Sequence, residues 1–130
     1  MRAMGITHRY DPAEGLVRAC WDGPITAGDV REYWTARVAE LEAQPGRRAL
    51  VDMRTCEVRF TGGEMRELVR TILRPHFANR GHRVAILVRD PVQFGTSRQF
   101  QVFFELLGES EIFQDEAEAL AWLGTGSSGA

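Results

Sequence analysis

The chain has no lysine: all sixteen of its basic residues are arginine. Eighteen acidic residues bring the formal net charge to -2, too small to attract a polyanionic partner. Cysteine is scarce. Cys20 and Cys56 are too few for a disulfide framework and are expected to be reduced, buried thiols. No apolar run approaches the roughly 20 residues of a membrane-spanning helix. The segment from Met1 to Ile6 carries one arginine and no apolar core, so it is no secretory signal. A cytoplasmic location without integral membrane association is the expectation.

Chemical signatures are equally sparse. The three histidines, His8, His76 and His82, and the two cysteines form no pair at metal-ligand spacing. No G-x-S-x-G elbow, phosphate loop or dinucleotide glycine pattern occurs. No helix-turn-helix or RNA-binding motif occurs either, and the charge balance is slightly acidic. No cofactor, metal or nucleic acid is expected.

What is present is a regular alternation of secondary-structure signals. Met4 to Tyr10 and Leu16 to Trp21 are alternating runs around the turn cluster Asp11-Pro12-Ala13-Glu14-Gly15, which reads as a β-hairpin. In the second run Leu16, Arg18 and Cys20 share one side and Val17, Ala19 and Trp21 the other. Pro24 is expected to close that strand. Thr26 is a good N-cap, with Asp29 three residues on, for a helix carrying Val30, Tyr33, Trp34, Val38 and Leu41. Pro45-Gly46 stops it.

Ala49 to Met53 is a short apolar strand, and a loop carrying Arg54, Cys56 and Arg59 is expected to follow. Thr61-Gly62-Gly63-Glu64 is a capping box that opens a second helix, with Met65, Leu68, Val69, Ile72, Leu73 and Phe77 inward. Pro75 predicts a kink or end near Arg74, and Gly81 the stop. Val84 to Val88 reads as a central strand covered on both faces. Asp90-Pro91 opens a third helix running to about Leu107 and ending at Gly108. Glu111 to Gln114 is a short strand, and Asp115 with Glu118 caps a last helix that ends at Gly124. The order β-β-α-β-α-β-α-β-α predicts a mixed α/β sheet with an N-terminal hairpin, parallel inner strands and about four helices.

Several segments in this order carry a family resemblance. They are Gly15-Leu16-Val17, Trp21-Asp22-Gly23-Pro24, Leu50 to Arg54, Arg83 to Val88, Phe94-Gly95-Thr96-Ser97-Arg98 and Glu118 to Leu123. The chain resembles the SpoIIAA-like branch of the STAS family, also described as STAS/SEC14-like, from Tyr10 to Gly124. The resemblance implies one STAS-like domain over residues 4–124, and the Gly/Ser composition of 125–130 predicts a disordered tail. In STAS anti-sigma-factor antagonists an Asp-Ser-Ser-Gly turn carries the phosphorylated serine at the start of the second helix. Thr61 falls on that serine, Gly62 and Gly63 on the next two residues, and Phe60 on the aspartate. A hydroxyl is kept and its acidic neighbour is lost.

Three surfaces follow as candidates. Thr61 is the phosphoacceptor-equivalent position, although the capping box accounts for it completely. Arg66, Arg70 and Arg74 recur every four residues on the second helix, and Arg59, Arg80 and Arg83 are candidates to lie nearby. With Arg98 they form the anion-binding candidates; a solvated helix face is the plainer explanation. The third helix is apolar around much of its circumference. Phe100, Val102, Phe103 and Leu106 are the interface candidates, either for a homodimer or for the wall of an apolar groove.

These readings favour a non-enzymatic STAS-like regulatory or interaction domain, partnered by itself or by another protein. The alternative is a carrier or sensor of a small amphipathic or anionic ligand, with apolar walls from the second and third helices and Arg74 or Arg98 at an anionic head. An enzyme would need an acid–base pair such as Asp52 with a histidine.

Overall fold

The computed structural model describes residues 5–42, 48–77, 82–90 and 108–124. Five strands form one sheet in the order β1-β2-β3-β4-β5. They are β1 (Ile6–Asp11), β2 (Leu16–Thr26), β3 (Arg48–Arg59), β4 (His82–Leu87) and β5 (Gly108–Phe113). β1 and β2 are antiparallel, and every later pairing is parallel. The hairpin turn is locally determined. The Asp11 carboxylate accepts from the amides of Ala13 and Glu14, and Gly15 takes a positive φ of 63°.

Helix α1 (Ala27–Glu42) follows β2. Thr26 and Asp29 cap it reciprocally: the Asp29 amide donates to Thr26 Oγ1 and the Thr26 amide to the Asp29 carboxylate. The second helix, α2, begins as Gly62–Leu68, widens into a π turn over Val69–Leu73 and closes as Arg74–Phe77. The last helix, α3, spans Glu116–Leu123 between the Asp115 N-cap and Gly124, whose φ is 79°.

The two faces of the sheet have different covers. Because the strand order advances in one direction, right-handed crossovers place α1 and α2 on the same face. There Val30, Tyr33 and Trp34 of α1 and Met65, Leu68, Val69 and Leu73 of α2 pack on Trp21, Met53, Val84 and Ile86. α3 follows the edge strand and folds onto the opposite face, where Ala119 and Leu123 close over Leu16, Leu50, Ala85 and Leu87. Burying one such leucine contributes about 1.5–3 kcal/mol.

Several boundaries differ from the sequence expectation. β2 runs through Pro24 to Thr26. The Asp22 amide donates sideways to the Gly5 carbonyl, so the ring nitrogen of Pro24, two residues on, faces the same side, beyond the start of β1. The expected loop over Arg54 to Arg59 is strand, paired to β2 from Asp22↔Thr55 to Thr26↔Arg59. α2 does not end at Arg74 but continues to Phe77. The Arg74 amide reaches back to the Val69 carbonyl, and this wider turn makes room for Pro75, which has no amide and would crowd the preceding turn of a regular helix. β5 begins at Gly108, which was expected to end the third helix. That helix, over 91–107, lies outside the described residues, as does the tail over 125–130. Three of the four expected helices therefore fall among the described residues.

Candidate functional site

α3 has eight residues and leaves part of its face of the sheet open. On β1, Thr7 and Arg9 alternate onto this face; on β2, Leu16, Arg18 and Cys20; on β3, Leu50 and Asp52. Register aligns them in two rows, Thr7–Cys20–Asp52 and Arg9–Arg18–Leu50. Glu116, in the first turn of α3, forms the opposite wall. Together with His8 and Ala19 these residues line a cleft of about 240 Å³.

A chain of charges crosses it. Glu14 holds Arg18 at 2.9 Å, and Arg18 meets Glu116 at 3.2 Å. Glu116 meets Arg54 at 3.2 Å, and Arg54 closes on Asp52 at 2.9 Å. The last pair is forked, because Arg54 Nε also donates to Asp52 Oδ1 at 3.0 Å. The same oxygen accepts the Arg54 amide. That local bond is possible because β3 bulges here: Cys20 pairs with Asp52, but Asp22 pairs with Thr55. Bulges of this kind re-aim side chains beside sites.

The charges fix protonation states. The Arg54 guanidinium holds the Asp52 carboxyl below the usual carboxylate range, against the opposing effect of burial. Hydrogen bonding to Asp52 raises Arg54, and hydrogen bonding to Glu14 raises Arg18. Partial burial, followed by the neighbouring Asp52 charge, pushes the Cys20 thiol up.

The expected sites are placed as follows. Thr61 is the exposed N-cap of α2: its hydroxyl accepts the Glu64 amide at 3.0 Å, while its own amide donates to Glu64 at 2.8 Å. Phe60, at the position of the lost aspartate, packs edge-on against Trp21. Arg66, Arg70 and Arg74 are exposed along α2, and Arg70 pairs with Glu67 at 2.6 Å. Two of their expected neighbours do not join them. Arg59 pairs with Glu57, and Arg83 lies on the opposite face, 4.1 Å over the Trp122 ring. Arg98, Phe100, Val102, Phe103 and Leu106 lie outside the described residues, as does Arg80. Asp52 is paired with Arg54 rather than with a histidine; His8 packs edge-on against Tyr33 of α1. Cys56 is a buried thiol, as expected. Cys20 is exposed, because it alternates onto the open face beyond the reach of α3.

Arg9, Arg18 and Glu116 were missed. Arg9 and Arg18 could have been found from the hairpin register alone, since Asp11↔Leu16 makes them direct partners.

An antiparallel hairpin extended by parallel strands in chain order, with helices on both faces, defines a single mixed α/β fold. The comparison with solved structures agrees. The chain is similar, over 95% of its length and 97% of the other chain, to an uncharacterized DUF3478-family protein with a SpoIIAA-like fold from Shewanella loihica PV-4, at 21% identity and a TM-score of 0.66. The fold is therefore SpoIIAA-like, as the sequence motifs imply. No family model and no curated protein matches the chain. No described helix is long and apolar enough to cross a membrane.

Proposed function

We propose that this STAS-like domain is a non-enzymatic, cytoplasmic regulatory module that works by binding, as a homodimer. The observation that carries the reading is the locked charge state of the cleft. Asp52 is held ionised, Arg18 and Arg54 are held protonated, and the Cys20 thiol is pushed up, away from its thiolate. General acid–base and nucleophilic catalysis need a group that changes state, or is activated, near the working pH. A cleft whose carboxylates and guanidinium groups are already committed to one another favours recognition over turnover.

The dimer surface rests on sequence: Phe100, Val102, Phe103 and Leu106 spread apolar character beyond one core-facing stripe. Native mass spectrometry of the untreated chain tests both points. A dimer without added mass is expected, and Val102→Glu with Leu106→Glu should return a monomer. A native monomer, or a double variant that stays dimeric, removes this surface. Added mass of one per chain would instead favour a carrier of a small amphipathic ligand.

A further inference from the structure

We propose that the cleft between α3 and the β1–β2 hairpin binds a small, singly charged carboxylate on Arg9 and Arg18. This goes beyond the interaction reading and does not depend on it.

Arg9 and Arg18 stand directly opposite each other on neighbouring strands and line the same cleft. Like charges in that relationship repel and destabilise a sheet. Only one of the two is compensated. Glu14 and Glu116 take both terminal nitrogens of Arg18, yet leave its Nε buried without an acceptor. Buried donors without acceptors are costly and uncommon. Arg9 has no carboxylate partner among the described residues, and it lines the cleft. Thr7 adds a hydroxyl two residues along the same strand.

A carboxylate here would separate the two guanidinium groups and accept forked hydrogen bonds from Arg9. Two features set its class. The volume, about 240 Å³, lies below the usual range of drug-sized pockets, so the ligand is small. Asp52 and Glu116 also line the cleft, and both pair with Arg54. They oppose a second negative charge, so a monocarboxylate is preferred over phosphate or a dicarboxylate.

The test is a titration of the ¹⁵N-labelled full chain with lactate and pyruvate, and in parallel with inorganic phosphate and succinate, followed by amide chemical shifts. Saturable shifts are expected at Thr7, Arg9, Arg18 and Cys20 with the monocarboxylates. Arg9→Gln, at an exposed position, should keep the spectrum of the fold and weaken binding roughly tenfold or more, the loss typical of a hydrogen bond to a charged group. Arg66→Gln should change nothing. The proposal is overturned by any of three results: no saturable shift with either monocarboxylate, binding unaffected by Arg9→Gln, or phosphate and succinate binding the same residues as strongly.

Discussion

Arg48, the first residue of β3, donates from Nη1 to the carbonyl of Leu123, the last residue of α3, at 2.9 Å. Its Nη2 donates to the Glu14 carbonyl in the hairpin turn at 3.3 Å. One guanidinium thus joins the hairpin, the sheet and the final helix. Its neighbour Arg83, paired with it across β3 and β4, donates to the Trp122 carbonyl at 2.7 Å. The last carbonyls of a helix have no partners within it, and cations there are favoured by the helix dipole. α3 has no basic residue in its own last turn, so the sheet supplies the cap.

Replacing Arg48 by alanine should therefore lower the unfolding free energy by about 1–2 kcal/mol. Arg48→Lys should recover only part of it, because an ammonium lacks the fork that reaches two carbonyls. Urea denaturation of the three proteins measures this. A lysine variant as stable as the native chain would refute the forked role.

Thr61 gives a contrast between a structural and a switching residue. As the N-cap of α2 it should lose about 1 kcal/mol on substitution by alanine and little on substitution by serine, and Thr61→Asp should keep the cap. Thermal denaturation of the three variants checks the order. An alanine variant with native stability would detach Thr61 from the capping role and reopen the phosphoacceptor reading.

The two thiols should separate by reagent and by pH. Cys20 is exposed on the cleft wall and should react with a disulfide reagent in the native state, slowly near neutrality and faster as pH rises. Cys56 should react only on unfolding. Burial raises its pKa from 9.0 to about 11. A group whose folded pKa is raised contributes stability that is complete below the unfolded value and is lost as pH climbs through the folded one. Stability should therefore decline between about pH 9 and 11, and Cys56→Ala should flatten that decline even where it lowers stability overall. An identical slope in the variant would remove Cys56 as its source.

Legibility in the sequence followed the range of the interaction. Thr26, Thr61, Asp115 and Gly124 were readable as caps because each acts within a turn of its own position. The two faces of β2 were readable because alternation is local. Beyond Met53 that logic failed. The bulge in β3 shifts the phase by one residue, so Cys56, Val58 and Phe60 face α1 and α2 out of step with Met53, and the segment resembles a loop. Pro24 misled for a related reason: whether its missing amide matters depends on where β1 begins, which Pro24 itself does not encode. The π turn before Pro75 is a third case, since a proline signals trouble without stating how the helix resolves it. The cleft was least readable of all. It requires the register of three strands and the position of a helix about 60 residues downstream of Asp52. Cys20 was expected to be buried because of its residue type, but burial was decided by how far α3 reaches.

The order of the strands also governs how the molecule can be assembled. Every neighbour in the sheet is a neighbour in the sequence, so no strand has to be inserted between two that are already joined. A chain emerging from the ribosome can extend the sheet at one edge only, each new strand meeting a template that is already in place. α3 belongs to the last part of this sequence, and it alone brings Ala119 and Leu123 to the greasy patch of Leu16, Leu50, Ala85 and Leu87. The clamp from Arg48 to Leu123 then fastens the third strand to the helix that covers this patch.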